Sequence, residues 1–190
     1  MNKINLGCGW ECRDGWLNVD NTQKPQKENY PIEFMDVTKT WPYEDNYFDY
    51  ALSEHMIEHI RDKDNLFMLK EALRTLKPGG VIRITCPDRA FYENLVKLGD
   101  YHPFVVNYSQ KIFNRKTELG MAQKIMMRTL NEQGHVWIPT EEMLVNQLKK
   151  AGFKKVKSCK YGISEHSELN GIELNDGVRN YESLCVEGTK

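Results

Sequence analysis

The 190-residue chain reads as a single α/β domain on a mostly parallel sheet. Strand-like and helix-like segments alternate, apolar residues in the helical segments recur every three to four positions, and Gly, Pro, Asn or Asp closes each segment. Strands that alternate with helices need crossovers, and right-handed crossovers put helices on both faces of a parallel sheet.

The first strand is expected at residues 4–8 and the second at 17–20. Between them Gly7 and Gly9 let the chain turn sharply beneath a small molecule, because glycine accepts positive φ and has no Cβ to hold a ligand away. Asp20 stands at the tip of the second strand, where a carboxylate can accept from both hydroxyls of a ribose. A dinucleotide fingerprint needs a third glycine and an acid about 20 residues on. Ten residues separate Gly9 from Asp20 here, which leaves no room for a full crossover helix.

Further strands are expected at 33–37, 47–53 and 81–86. Between the last two, a helix over 64–76 puts Leu66, Leu69, Leu73 and Leu76 on one face, and Lys77-Pro78-Gly79-Gly80 stops it. Residues 89–133, rich in aromatics and methionine, read as a helical insertion over the sheet, with helices near 89–98 and 116–130. Met and aromatic residues at that spacing read first as core and second as a pocket wall. Thr140 caps a helix that runs to Ala151-Gly152; Met143 at the third helical position leaves the capping box incomplete. Strands at 153–160 and 181–187 close the chain. No repeat or linker divides it.

With 26 Lys and Arg against 27 Asp and Glu, the net charge of −1 gives no overall attraction to nucleic acid or to anionic membranes. Lys149, Lys150, Lys154, Lys155 and Lys157 read as a solvated helix end and edge strand. The five cysteines, Cys8, Cys12, Cys86, Cys159 and Cys185, lack zinc-site spacing and read as reduced thiols. The chain opens on a strand without a basic-then-apolar leader, and no run of 18 apolar residues occurs, so a soluble, cytoplasmic protein is expected.

In order, Asn5-Leu6-Gly7-Cys8-Gly9, Asp20, Met35-Asp36-Val37, Tyr47-Phe48-Asp49-Tyr50-Ala51-Leu52-Ser53-Glu54, Leu76-Lys77-Pro78-Gly79-Gly80-Val81 and Ala151-Gly152-Phe153 resemble the successive motifs of class I S-adenosylmethionine-dependent methyltransferases. The chain looks most like the small type-11 group associated with glycan assembly. The resemblance implies a Rossmann-like seven-stranded sheet with its last strand antiparallel. It also implies that Leu6, Gly7, Cys8 and Gly9 pass beneath the methionine of the cofactor, that Asp20 holds the ribose and that Asp36 and Val37 flank the adenine. Ser53 and Glu54 would face the methionine or the transferable methyl. The short gap before Asp20 departs from the family pattern and puts the first helix, with its cofactor contacts, in doubt.

After the fourth strand, Ser53-Glu54-His55-Met56-Ile57-Glu58-His59-Ile60 would, as a helix, put His55, Glu58 and His59 on one face. As a bare motif His-x-x-Glu-His matches inverzincin zinc peptidases, a reading the surrounding α/β motif series disfavours. Three readings stay open. In the first, His59 or His135 is a general base on an acceptor hydroxyl, with Glu58 orienting an imidazole. In the second, His55, Glu58, His59 and His135 hold a divalent metal ion, as similar methyltransferases with Glu-x-x-Glu-His hold magnesium; the His55 substitution would favour zinc, manganese, iron or nickel. In the third, Glu58 and His59 only pack and cap. Asp88 contacts the acceptor or caps the next helix.

The resemblance implies S-adenosyl-L-methionine as cofactor and transfer of its methyl to a small-molecule or glycan acceptor. Histidines beside the donor favour an oxygen acceptor, and Trp10, Tyr92, Tyr101, Tyr108 and Trp137 could stack on a sugar face. A sugar hydroxyl of a glycan or nucleotide-sugar is the expected target. A phenolic or lipid-like acceptor and a non-catalytic cofactor-binding subunit are the alternatives.

Overall fold

The computed structural model describes residues 1–22, 31–131, 134–173 and 177–190. The final two positions of the expected insertion, 132 and 133, lie outside them.

Seven strands form one sheet in the order β3-β2-β1-β4-β5-β7-β6. They are β1 Lys3–Leu6, β2 Leu17–Asp20, β3 Ile32–Phe34, β4 Phe48–Glu54, β5 Leu76–Pro87, β6 Lys154–Ser158 and β7 Ser183–Thr189. Pairing is parallel from β3 to β5, and β7 runs antiparallel to both β5 and β6. Register aligns Leu6 with both Val19 and Ser53, so β1, β2 and β4 end together. The order reverses beside β1, and ligands of open α/β sheets bind outside the carboxyl ends of the strands at such a reversal.

One face of the sheet carries α1 Asp62–Thr75 and α5 Glu141–Ala151. Met68 and Leu69 of α1 and Leu144 and Leu148 of α5 share a core with Ile4, Leu6, Ile82 and Ile84. Side chains alternate along a strand, so Arg83 faces the other way. There it is covered by irregular chain: its guanidinium pairs with Glu173, donates to Glu187 Oε1 at 2.6 Å and reaches the carbonyls of Ile163 and Lys160. Residues 7–16 connect β1 to β2 without a helix, as the ten-residue spacing requires.

The insertion holds α2 Arg89–Leu98, α3 Pro103–Phe113 and α4 Met121–Asn131, which share a separate core around Tyr92, Leu95, Phe104, Tyr108, Met121 and Ile125. Its aromatics and methionines are thus mainly core. The sequence reading misses α3, because Phe104, Val105, Val106 and Tyr108 are poor helix formers; packing overrides that preference. Helix α4 starts later than expected, where Asp100 accepts from the backbone N–H groups of Gly120 and Ala122. The strand expected from residue 181 begins at Ser183, because Arg179–Glu182 forms a short helix, α6.

The segment around His55 is the main correction. No helix runs from residue 54 to 60: His55 takes φ +48°, Ile57–His59 is a single 3-10 turn, and α1 begins at Asp62. The turn is held by the buried Asn65, whose amide donates to the carbonyls of Ile57 and Ile60.

Candidate functional site

A cavity of about 710 Å³ opens at the carboxyl ends of β1, β2 and β4, with Gly7, Gly9, Asp20, Asp36, Val37, His55 and His59 among its lining residues. Gly7 needs to be glycine on two counts: its φ is +60°, and a Cβ there would lie 2.1 Å from Met56 Cγ. At Gly9 an added Cβ would meet nothing within 4 Å, so its backbone borders open space.

The Asp20 carboxylate accepts from Gly9 N through Oδ2 at 2.9 Å and from Thr22 N and Thr22 Oγ1 through Oδ1, each at 2.9 Å. A carboxylate has about four acceptor positions, so with three in use Asp20 can accept a further donor. Asp36 uses Oδ1 for Thr38 N at 3.0 Å and Thr38 Oγ1 at 2.6 Å. Those bonds hold its carboxyl below the usual carboxylate range and fix Oδ2 as a spare acceptor. Val37 is buried at the cavity wall, and its carbonyl accepts from Trp41 Nε1 at 3.1 Å. The sequence reading missed Met56, Thr38, Asn21 and Arg61 in this wall. The Asp-x-Thr spacing at Asp36 and Thr38 is the one signal that could have found a member of that set.

Leu6 and Cys8, expected beneath the cofactor, are buried and do not line the cavity. The Cys8 thiol is pushed up to about 12, mainly by burial and then by Cys12, whose Sγ lies 3.8 Å away. Ser53 is fully buried and Glu54 nearly so, and neither lines the cavity. The Glu54 carboxylate is engaged by Arg13, by Arg179 Nη1 at 3.1 Å and by the Tyr161 hydroxyl at 3.4 Å.

Beside the cavity, ligand atoms of Glu58, His59 and His135 lie within 4.8 Å of one another. The strand-free segment 134–137 returns to the 3-10 turn, where Val136 N and Trp137 N both donate to Glu58 O, at 2.8 and 3.1 Å. The two imidazoles meet edge to face, with ring centres 4.9 Å apart. His59 Nδ1 contacts Gly134 O at 3.2 Å and His135 Nδ1 contacts Thr129 O at 2.9 Å. A carbonyl only accepts, so each Nδ1 carries a proton, and Nε2 is the ring atom left to serve as acceptor. Burial lowers the pKa of His135, favouring its neutral form. Glu58 is almost wholly buried, and its Oε2 has no hydrogen-bond partner among the described residues.

His55 departs from the expected four-residue set. Its Nε2 pairs with Ser183 Oγ at 2.8 Å and its Nδ1 lies 3.4 Å from Glu58 Oε1. Burial works against its charge, yet the hydrogen bond and charge of Glu58, with Glu182, outweigh it and raise the His55 pKa. Burial likewise opposes the Glu58 charge, and His55 outweighs it, so the Glu58 pKa falls. Asp88 is the N-cap of α2, accepting from Ala90 N at 2.9 Å, and burial raises its pKa.

A smaller cavity of about 310 Å³ adjoins this centre, lined by Arg89, Leu130, Asn131, His135, Val136, Trp137, Ile138 and Met143. Val136 borders both cavities, and the three-residue centre lies between them. Two chambers meeting at two imidazoles and a carboxylate suit proton removal from one ligand beside a second. No helix among the described residues is long and apolar enough to cross a membrane.

A family profile described as a methyltransferase domain matches residues 9–158. Among curated proteins the chain is similar to demethylmenaquinone methyltransferase of Staphylococcus haemolyticus, 30% identical over 152 residues, covering 78% of this chain and 58% of the relative. Phosphoethanolamine N-methyltransferase 2 of Caenorhabditis elegans is 32% identical over 103 residues, 54% of this chain and 21% of the relative. The chain therefore spans less than two thirds of the length of these relatives. Among solved structures, an S-adenosylmethionine-dependent methyltransferase from Archaeoglobus fulgidus matches with a TM-score of 0.61 at 14% identity, covering 100% of this chain and 86% of that one. A second, from Mesorhizobium loti, gives 0.55 at 15% identity, covering 100% and 90%. At those identities the likeness is one of fold.

Proposed function

This chain belongs to the methyltransferase domain family, and from that premise we propose that it transfers the methyl of S-adenosyl-L-methionine to an oxygen acceptor, a sugar hydroxyl of a glycan or nucleotide-sugar. The observation that carries the reading is the junction of two cavities at Glu58, His59 and His135, where, among the described residues, neither Nε2 atom nor Glu58 Oε2 has a hydrogen-bond partner.

The cavity chemistry fits the cofactor. Vicinal ribose hydroxyls would donate to Asp20, the adenine amine to Asp36 Oδ2, and the methionine would lie over Gly7 and Gly9. Bound there, the cofactor supplies a methyl activated on a sulfonium. The chain has to hold the acceptor in line and remove a proton. His135 Nε2, or His59 Nε2 beside it, takes that proton from the hydroxyl. The Thr129 carbonyl on His135 Nδ1 fixes the tautomer and supports the imidazolium that forms, and the Glu58 charge favours it. Holding two reactants in a near-attack geometry supplies much of the remaining acceleration.

The same observation favours a second reading, in which Glu58, His59 and His135 would hold a divalent ion, and such an ion would lower the proton affinity of the hydroxyl. Nδ1–H groups anchored on carbonyls are the usual support for histidine ligands. Metal analysis of tag-free protein, with activity before and after chelation, separates the two. A screen of labelled-methyl transfer to sugar, phenolic and amine acceptors tests the function. Transfer confined to amines or phenols overturns the sugar assignment. Cofactor binding without transfer to any class leaves a non-catalytic cofactor-binding subunit.

A further inference from the structure

The helical insertion carries a cationic site that the methyl-transfer reading leaves unexplained. Residues 89–131 hold seven Lys and Arg against three Asp and Glu, within a chain of net charge −1. Three of those cations surround one ring: Arg115, Lys124 and Arg128 lie 5.6, 5.1 and 5.2 Å from the centre of Phe113. Among the described residues the group has one ion pair, Arg115 with Glu118 at 3.4 Å. Like charges gathered this closely repel, and a bound anion relieves that repulsion.

Arg115 also lines a cavity of about 570 Å³ with Tyr101, Gln110, Asn114, Lys116 and Thr117. That volume suits a small-molecule site. The lining joins an exposed aromatic face to amide, hydroxyl and cationic groups, and Thr117 Oγ1 is sequestered from solvent with no hydrogen-bond partner among the described residues. From here α4 leads to the proposed acceptor chamber. Lys124, Arg128 and Asn131 fall at i, i+4 and i+7 on one helix face, and Asn131 lines the chamber beside His135. At 1.5 Å per residue the stripe is about 10 Å long.

We infer that this cavity and the α4 stripe bind the diphosphate of the acceptor, so that the methylated sugar is presented on a phosphate-bearing carrier. The inference rests on the methyl-transfer reading for the sugar, while the anion site stands on its own geometry. Lys124 and Arg128 engage the phosphates, within reach of the chamber at His135, and Arg115, Lys116 and Tyr101 hold the part of the carrier that lies beyond them.

Calorimetry at low salt with inorganic pyrophosphate, a UDP-sugar and a polyprenyl diphosphate-sugar in detergent micelles tests the site and separates a soluble carrier from a lipid one. The expected result is binding of pyrophosphate and of at least one carrier, weakened at least tenfold in the Lys124→Gln/Arg128→Gln protein. Affinity for S-adenosylhomocysteine should be unchanged there, which reports an intact fold, and Lys124→Arg, which keeps the charge, should retain the native anion affinity. No binding of pyrophosphate or carriers by the native chain overturns the inference, as does equal binding by the double variant or binding to anionic phospholipid vesicles alone. Diphosphate binding without methyl transfer to any acceptor would keep this site and remove the methyl-transfer reading. Transfer to phosphate-free sugars with the same kcat/KM in native and double-variant proteins would do the reverse.

Discussion

Asp20 ends β2 and Asp36 lies two residues beyond the end of the neighbouring β3, and each has one oxygen held by the hydroxyl and N–H of a threonine two residues on. That local turn fixes the carboxylate before any ligand arrives, so a ligand need not order it. Hydrogen bonds to charged groups contribute about 1.5–3 kcal/mol each. Asp20→Asn should therefore raise the Kd for S-adenosylmethionine at least about tenfold by calorimetry; unchanged affinity would remove Asp20 from the site. His135→Ala and His59→Ala should leave that Kd near native, and loss of the general base should lower kcat by about 10²–10⁴. Because burial holds the His135 pKa below its ordinary 6.5, kcat should rise with pH as this ring deprotonates and be level by neutrality. An acid limb centred above 6.5 in the pH–rate profile would point to another base.

At the scale of elements, each of the seven strands was legible, because β-branched and aromatic runs bounded by turn residues have few other uses in a parallel sheet. The glycine turn and Asp20 could be placed at the ligand edge from strand ends alone, whereas Asp36 came only from the family resemblance; Gly7, Gly9 and both carboxylates line the cavity. The 3-10 turn was not legible. Helical spacing of His55, Glu58 and His59 suggested one shared face, whereas the positive φ of His55 and the Asn65 clamp from α1 are tertiary features that spacing does not encode. The turn sends His59 toward His135 and leaves His55 with Glu58, Ser183 and Glu182, which makes fold stability depend on pH. His55, raised in the fold, contributes stability that is complete below 6.5 and fades as pH rises through its folded value. Glu58, lowered in the fold, contributes stability that is complete above 4.5 and fades as pH falls through its folded value. Glu182, raised by burial to about 7, withdraws stability as pH climbs from 4.5 toward 7. Glu182→Gln should accordingly gain stability relative to native protein as pH moves from 5 to 8, read as the difference in urea midpoints. A constant difference across that range would show that Glu182 does not titrate in the fold.

Across the whole molecule, the ligand edge depends on a sheet covered by different means on its two faces. The α1 and α5 face is sealed by apolar packing, and that pattern is written locally in the helices. The opposite face is held by charge, through partners 77 to 104 residues away from Arg83 in sequence, and so leaves no local pattern to read. Arg83 is fully buried between Glu173 and Glu187, and its pKa is raised because these carboxylates outweigh the burial penalty. Removing one partner of such a group strands buried charge, at about 3–5 kcal/mol, whereas well-packed apolar replacement of a whole group is often neutral. Arg83→Ala should then lower Tm by roughly 6–20 °C, given about 2–4 °C per kcal/mol for a domain of this size. Arg83→Met with Glu173→Leu and Glu187→Leu should recover most of that loss. Both proteins, measured well below their Tm, should bind S-adenosylhomocysteine as the native chain does, because Asp20, Asp36 and the glycine turn take no support from Arg83. If the triple variant is no more stable than Arg83→Ala, the charged cluster holds the segment 160–173 by specific geometry that apolar packing cannot replace. If Arg83→Ala costs nothing, the irregular cover is secured elsewhere, with Lys3–Glu168 at 2.6 Å, the Arg13 bond to Ile172 O and the Tyr161 bond to Glu54 among the remaining ties.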